Sequence, residues 1–203
     1  MGIKKELKEF KKFRDNYDFK FLELEEREDG LYYKDYLVMN DEFNLNESED
    51  FINAGFKLKG AFSKTLSNLH PYEFKFRGKK VKSIEGVFQG IKFKDKKAQN
   101  LMLNYYGIAS NNIKVATDYV WQDTGILYWQ GKEMNRYSKE YDDFLDELYV
   151  SAISNPLYRG MLKNIDKYIL HSMGKKNKEE TVFTRYEFER MLNCLKEYVK
   201  ING

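Results

Sequence analysis

The chain has 203 residues, of which 42% are hydrophobic and 33% are charged, and Cys194 is its only cysteine. This length and balance predict one globular domain with a real core and exclude an intrinsically disordered chain. No run approaches the ~20 apolar residues of a membrane span, and the first residues lack the apolar stretch of a signal peptide. One cysteine excludes an internal disulfide, so we expect a reduced, cytoplasmic location.

The first 55 residues are predicted to form an N-terminal extension made of a helix and a hairpin. Apolar residues at helical spacing predict the short helix over residues 4–14. Asp29-Gly30 lies between two β-prone runs, which predicts a hairpin turn. The acidic segment SEDFINAG is expected to form a short helix closed by Gly55, and FKLKGAF a strand after it.

A helix is predicted after a second hairpin, YEFKFRGKKVKS, which turns at Gly78. Ser83 is a good N-cap for this helix because its hydroxyl can accept from an unpaired backbone N–H. Its buried face is predicted from spacing of i, i+3, i+4 and i+7, and contains Ile84, Val87, Phe88 and Ile91. A second stripe beside that face carries Glu85, Gln89 and Lys92.

Gly86 and Gly90 form a third stripe on the same helix, where another backbone or a ligand could approach closely. Glycine costs roughly 1 kcal/mol in a helix interior, so two in one short helix suggest packing or function. Spacing alone also allows an ordinary amphipathic helix with a solvated polar edge.

The second half of the chain reads as mostly helical. Helices are predicted for KKAQNLMLNYYG, ending at Gly107, and for NNIKVATDYV, and a loop leading into a helix for WQDTGILYWQGKEM. The segment YSKEYDDFLDELYVSAIS has one apolar face and predicts a long helix, which Asn155-Pro156 ends. KYILHS is predicted to be a buried strand, and Thr184 with Glu187 a capping box that begins the last helix.

These elements predict an α+β fold, a single helix-rich domain with small β-hairpins and an N-terminal extension. Its charge is uneven: nine basic and two acidic residues lie between Lys75 and Lys97. Such a basic collar around one carboxylate suits a phosphate-bearing ligand, although a solvated lysine-rich surface explains it equally well. No P-loop, GxGxxG or HExxH motif is present. Two histidines and one cysteine cannot build a usual zinc site without carboxylates, and we expect no metal and no cofactor.

An ordered set of residues resembles the NADAR family, also called YbiA-like. The set is Leu66-Ser67-Asn68, then Pro71, the hairpin at Gly78, and Ser83-x-Glu85-x-x-x-Gln89-x-x-Lys92 on a helix. Tyr128-Trp129, followed by Arg136, looks like the tryptophan segment of that family. The resemblance implies an N-glycosidase domain over residues 56–203, with residues 1–55 outside it. Where many members carry an Asp followed by a WG-rich stretch, this chain has HSMGKKNKEETVFTRYEF, which puts the choice of substrate in doubt.

The resemblance implies that Glu85 is the catalytic carboxylate, because an oxocarbenium-like sugar cation needs a negative charge and an activated water. The substrate would be a phosphorylated ribose joined to a base, such as ADP-ribosyl-guanine or a riboflavin-pathway intermediate. Its expected contacts are Ser67, Asn68, Gln89, Lys92, Trp129, Arg136 and His171. The resemblance also implies ADP-ribosylated nucleic acid as a partner, and no membrane or protein partner is expected.

A non-catalytic module that binds ADP-ribose or another nucleotide is the alternative hypothesis. Each residue also has a structural explanation when it is judged alone. Trp129 is more often core than pocket, Asn68 is usually a turn residue, Lys92 is usually solvated, and His171 lies at a strand end where a structural role is as common.

Overall fold

The computed structural model describes residues 2–40, 42, 47–56, 60–106 and 121–203. These ranges contain eight helices and nine short strands. Three of the four small sheets are antiparallel and one is a parallel pair. The predicted α+β class is confirmed.

The N-terminal region begins with a helix and a small antiparallel sheet. Helix α1 (Ile3–Asn16) confirms the first predicted helix. Strands β1 (Glu25–Arg27) and β2 (Gly30–Tyr33) confirm the hairpin at Asp29-Gly30. A third strand, β3 (Tyr36–Asn40), extends the sheet on the other side of β2.

The helix predicted for SEDFINAG is wrong, because strand β4 (Phe51–Asn53) occupies its centre. All three residues of β4 are buried, and they pair in parallel with β9 (Tyr168–Leu170). A partner 117 residues away, as in Phe51↔Tyr168, is invisible to local helix signals. Helix α2 (Ala61–Leu66) also corrects the end of the strand predicted for FKLKGAF, whose residues 57–59 lie outside the described part.

Two hairpins have the same kind of two-residue turn. Strands β5 (Phe74–Phe76) and β6 (Lys79–Val81) confirm the predicted hairpin. Strands β7 (Ile126–Trp129) and β8 (Lys132–Asn135) follow the short helix α5 (Trp121–Thr124), where we expected a loop leading into a helix. Arg77-Gly78 and Gln130-Gly131 both have positive φ at each turn residue, which is the type I′ geometry that suits twisted hairpins.

Helix α3 (Ile84–Gly90) is the predicted Ser83 helix, and α4 (Lys96–Met102) follows it closely. Helix α4 ends at Met102 and a turn follows it, so α4 is shorter than predicted. The predicted end at Gly107 and the predicted helix NNIKVATDYV lie outside the described residues.

Three helices complete the fold: α6 (Lys139–Ala152), α7 (Pro156–Lys163) and α8 (Arg185–Asn202). Asn155 caps α7, and the Thr184–Glu187 capping box begins α8, as predicted. One continuous apolar core joins these helices to α1, α3 and β4. No helix in the described part of the chain is both long and apolar enough to cross a membrane.

Candidate functional site

Helix α3 carries Glu85 and Gln89, Lys92 follows its end, and Ser83 anchors its first turn. The Ser83 hydroxyl accepts the Gly86 N–H at 3.0 Å and donates to the Tyr105 carbonyl at 2.9 Å. The apolar face of α3 is completely covered, with Ile84, Val87, Phe88 and Ile91 at most 3% exposed. Because that face is locked in the core, the adjacent stripe is held in one orientation.

Glu85, Gln89 and Lys92 form a hydrogen-bonded series, which we call the Glu85 row. The Gln89 amide donates to Glu85 Oε1 at 2.6 Å, and Lys92 Nζ donates to Gln89 Oε1 at 2.9 Å. The amide therefore presents its donor to the carboxylate and its acceptor to the ammonium. No described residue is hydrogen-bonded to the second carboxylate oxygen of Glu85.

Burial controls the protonation of the Glu85 row. It raises the pKa of Glu85, and the Gln89 hydrogen bond and the Lys92 charge oppose this only in part. It lowers the pKa of Lys92, against the attraction of Glu85. Yet both residues keep part of their surface exposed. Shifted pKa values of partly exposed groups are typical of functional sites.

Asn68 lies beside the first turn of α3. Its carbonyl accepts the Glu85 N–H at 2.9 Å. Its side-chain oxygen accepts the Tyr149 hydroxyl at 2.8 Å. The neighbouring Ser67 uses its hydroxyl to accept the Leu69 N–H at 3.3 Å, which stabilises the turn that presents Asn68.

An aromatic cluster connects this region to His171. Phe183 stacks on Tyr149 with ring centroids 5.5 Å apart and lies 5.1 Å from Phe88. Phe188 packs against both Phe183 and His171, and its ring centroid is 4.5 Å from the centroid of the His171 ring.

His171 is bonded to main-chain and side-chain groups that fix its place at the end of β9. The ring Nδ1 of His171 is 3.0 Å from the Ala54 carbonyl, and the backbone N–H of His171 donates to the Glu189 carboxylate at 3.1 Å. Burial lowers the pKa of His171, so the ring is predominantly neutral at pH 7.

Two predicted contact residues have their main contacts with other parts of the fold. Trp129 packs edge-on against Phe76 and Phe144, with centroids 4.9 and 5.7 Å apart. Arg136 is fully buried and forms a bidentate ion pair with Glu187, at 3.0 and 2.6 Å. These contacts account for both side chains as parts of the core, and their roles in ligand binding stay predictions.

Tyr149 and Phe183 were missed at the sequence level. Tyr149 lies among the apolar residues of a long helix, where a tyrosine is ordinarily core. Phe183 lies in the segment before the capping box, without a periodic pattern. The one available signal was the presence of a hydroxyl on the buried face of α6, which requires a hydrogen-bond partner.

Two surface grooves, of about 800 and 540 Å³, lie at the edges of the β1–β3 sheet and contain none of these residues. We favour the Glu85 row because it unites a desolvated acid, an amide and an amine in one hydrogen-bonded series. Within the described ranges, no three His, Cys, Asp or Glu side chains are grouped so that they could hold a metal ion.

A family model of bacteriophage protein GP30.3 matches residues 60–197. The chain belongs to the bacteriophage GP30.3 family. No curated protein and no solved structure matches the chain. The match spans both Asn68 and the Glu85 row, and it begins after the N-terminal helix and sheet.

The GP30.3 match corrects the resemblance to the NADAR family. The predicted N-glycosidase function is wrong, and so is its alternative, the nucleotide-binding module. The residues that carried the resemblance satisfy local structural requirements: Ser83 caps α3, Ser67 stabilises a turn and Asn68 accepts the N–H of Glu85. Such requirements recur in unrelated families, so a short ordered motif was insufficient evidence for membership of the NADAR family.

Proposed function

We propose that this member of the GP30.3 family is an enzyme in which Glu85 exchanges a proton with a small polar substrate. The observation that carries the proposal is the Glu85 row, with one carboxylate oxygen tied to Gln89 and the other without a described partner. A general acid or base needs a positioned group whose pKa is tuned toward the working pH. Burial tunes the pKa of Glu85 upward, in that direction.

Gln89 and Lys92 have distinct roles in this proposal. The Gln89 amide fixes the carboxyl group in one orientation, so little reorganisation is needed during proton transfer. Lys92 places a positive charge at the far end of the Glu85 row. That charge stabilises the carboxylate at the moment when Glu85 has given up its proton.

The partner we propose is a small anionic molecule. Nine basic and two acidic residues lie from Lys75 to Lys97, and an excess of basic residues raises the local concentration of anions at low salt. A cytoplasmic place of action belongs to the same proposal, since the single cysteine is a free, buried thiol.

The test uses a small-molecule extract of bacterial cells, chosen because the family is named for a bacteriophage protein. The wild-type chain, Glu85→Gln and Glu133→Gln are incubated with the extract, and compounds consumed and formed are compared by mass spectrometry. Glu133 is the matched control because it is an exposed glutamate on β8. We expect the wild-type chain and Glu133→Gln to convert the same compound, and Glu85→Gln to lose at least a hundredfold in rate.

Two results would overturn the proposal. One is an extract that the wild-type chain leaves unchanged. The other is conversion by Glu85→Gln at the wild-type rate. Native mass spectrometry of each variant after incubation distinguishes a compound that stays bound to the protein from one that the protein converts. A retained compound that no variant converts would identify a binding protein and not an enzyme.

A further inference from the structure

The buried hydroxyl of Tyr149 acts on a side chain of the candidate site. Tyr149 lies on α6 with no solvent exposure, and its hydroxyl donates to Asn68 Oδ1 at 2.8 Å. Burial keeps the pKa of Tyr149 well above its ordinary value, so the hydroxyl remains a donor at any working pH. The helix that supplies it packs into the core along the same face.

This hydrogen bond fixes the two ends of the Asn68 amide. The oxygen faces Tyr149, so the NH₂ group points to the opposite side. No residue in the described ranges accepts from that NH₂ group, and Asn68 is half-buried. The Asn68 carbonyl meanwhile accepts the Glu85 N–H at 2.9 Å, so the two residues are direct neighbours. The NH₂ donor of Asn68 and the carboxylate of Glu85 therefore belong to residues that one backbone hydrogen bond joins.

We propose that Tyr149 is a positioning residue that orients the Asn68 amide toward the substrate. This proposal rests on the proposed function of the Glu85 row. It adds one chemical requirement for the substrate. The substrate presents a hydrogen-bond acceptor, such as a carbonyl or hydroxyl oxygen, to the NH₂ group of Asn68. The atom that exchanges a proton with Glu85 lies beside that acceptor.

Two other buried tyrosines show that packing alone does not demand this arrangement. The Tyr141 hydroxyl, on the same helix, donates to the main-chain carbonyl of Val182. The Tyr158 hydroxyl has no partner among the described residues. The core thus accommodates a tyrosine hydroxyl in three ways, and of these three tyrosines Tyr149 is the one that is bonded to a side chain beside Glu85.

The experiment compares Tyr149→Phe, Asn68→Ala and the double variant, with Tyr141→Phe and Tyr158→Phe as matched controls. The first measurement is conversion of the bacterial small-molecule extract. The second is the NMR signal of the Asn68 side-chain NH₂ group. We expect about a tenfold fall in conversion for Tyr149→Phe, the scale of one lost hydrogen bond. The double variant should fall no further than Asn68→Ala, because Tyr149 acts through Asn68.

The controls separate positioning from stability. Tyr141→Phe loses a buried hydrogen bond and should lower the melting temperature while conversion stays unchanged. Asn68→Asp keeps an acceptor for Tyr149 but removes the NH₂ donor, so it should fold and convert as poorly as Asn68→Ala. The NH₂ signal of Asn68 should shift or broaden in Tyr149→Phe and stay unchanged in Tyr158→Phe.

Failure of this inference and failure of the proposed function give different results. If the wild-type chain converts a compound and Tyr149→Phe converts it equally fast, the positioning role is overturned and the function stands. If the wild-type chain converts nothing, the function fails, and the NMR signal decides the positioning role. An Asn68 NH₂ signal that is the same in Tyr149→Phe and in the wild-type chain would overturn it.

Discussion

Glu85 is placed where a carboxylate weakens the fold. A half-buried acid that burial keeps from ionising freely costs stability, and a glutamine of the same shape would avoid that cost. Its neighbours reduce the cost only in part, since burial also disfavours the charge on Lys92. Functional sites often keep ionisable side chains that a neutral residue could replace with a gain in stability. The position of Glu85 is of this kind.

We predict that Glu85→Gln stabilises the protein increasingly as the pH rises. The folded-state pKa of Glu85 lies above its unfolded value, which is about 4.3. Between these two values the folded chain binds more protons than the unfolded chain, so the wild-type free energy of unfolding falls as the pH rises. The glutamine variant has no such loss.

Urea unfolding of both proteins at pH 4, 5.5, 7 and 8 checks this prediction. The variant and the wild-type chain should differ least at pH 4, and the gap should widen until Glu85 is fully ionised. A gap that is constant across this range would mean that Glu85 titrates in the folded chain as it does in water. Glu133→Gln serves as the control at an exposed position.

At the level of elements, the contact of α3 with α4 depends on its first glycine. A methyl group at Gly86 would lie 2.7 Å from the Met102 carbonyl and 3.2 Å from the Tyr105 carbonyl. At Gly90 it would lie 3.5 Å from the Gln99 carbonyl and 3.6 Å from Met102 Cβ, an ordinary contact. The two glycines looked equivalent by sequence spacing, but only Gly86 is needed for the close approach of the two helices.

We therefore predict opposite effects for Gly86→Ala and Gly90→Ala. Gly86→Ala should lower the free energy of unfolding by about 1–3 kcal/mol, because α4 must move away from α3. Gly90→Ala should be neutral or stabilise by up to about 1 kcal/mol, since alanine favours helix more than glycine does. Chemical denaturation of the two variants side by side measures the difference. Equal losses in both would contradict the assigned helix contact.

The elements that could be predicted from sequence are those specified by neighbouring residues. Ser83 as a cap, the Thr184–Glu187 capping box and the Asn155-Pro156 break need only a few adjacent positions. Strand β4 could not be predicted in this way, because its partner β9 lies 117 residues later. The turn at Gln130-Gly131 was overlooked because glutamine is an uncommon residue at positive φ.

The candidate site also has one part that follows from neighbouring residues and one part that depends on long-range packing. The stripe of Glu85, Gln89 and Lys92 follows from helical geometry, and the structure brings all three together. The bond from Tyr149 to Asn68 joins residues 81 positions apart and requires the packed core. Motif order alone could not supply that contact, and it also could not identify the family.

On the scale of the whole molecule, the region before the family match is built into the same core. Phe10 of α1 is fully buried and contacts the ring of Tyr198 on α8 at 5.5 Å between centroids. Strand β4 supplies the backbone partner of β9, and the carbonyl of Ala54, the residue after β4, lies 3.0 Å from His171 Nδ1. The described residues before Phe56, which belong to the predicted N-terminal extension, thus help to hold the end of β9 next to His171.

Ion pairs hold α1 against the family-matched part of the chain. Arg14 pairs with Asp146, Lys11 with Asp143 and Glu6 with Arg159. Asp146 is 1% exposed, and burial raises its pKa in spite of the Arg14 charge. The Lys11 and Asp143 side chains are 30% and 37% exposed. The Arg14–Asp146 and Lys11–Asp143 pairs both join α1 to α6, and they differ mainly in their exposure to water.

That difference predicts unequal effects when the cation of each pair is removed. Arg14→Ala leaves the buried Asp146 without its partner, and we expect a loss of about 2–3 kcal/mol in the free energy of unfolding. Lys11→Ala breaks a pair that water already screens, and it should cost less than about 1 kcal/mol. Adding Asp146→Asn to Arg14→Ala should recover part of the loss, because the uncompensated charge is gone. Urea unfolding gives the three values, and limited proteolysis reports whether α1 detaches first. Equal costs for Arg14→Ala and Lys11→Ala would mean that α1 is held by its apolar face alone.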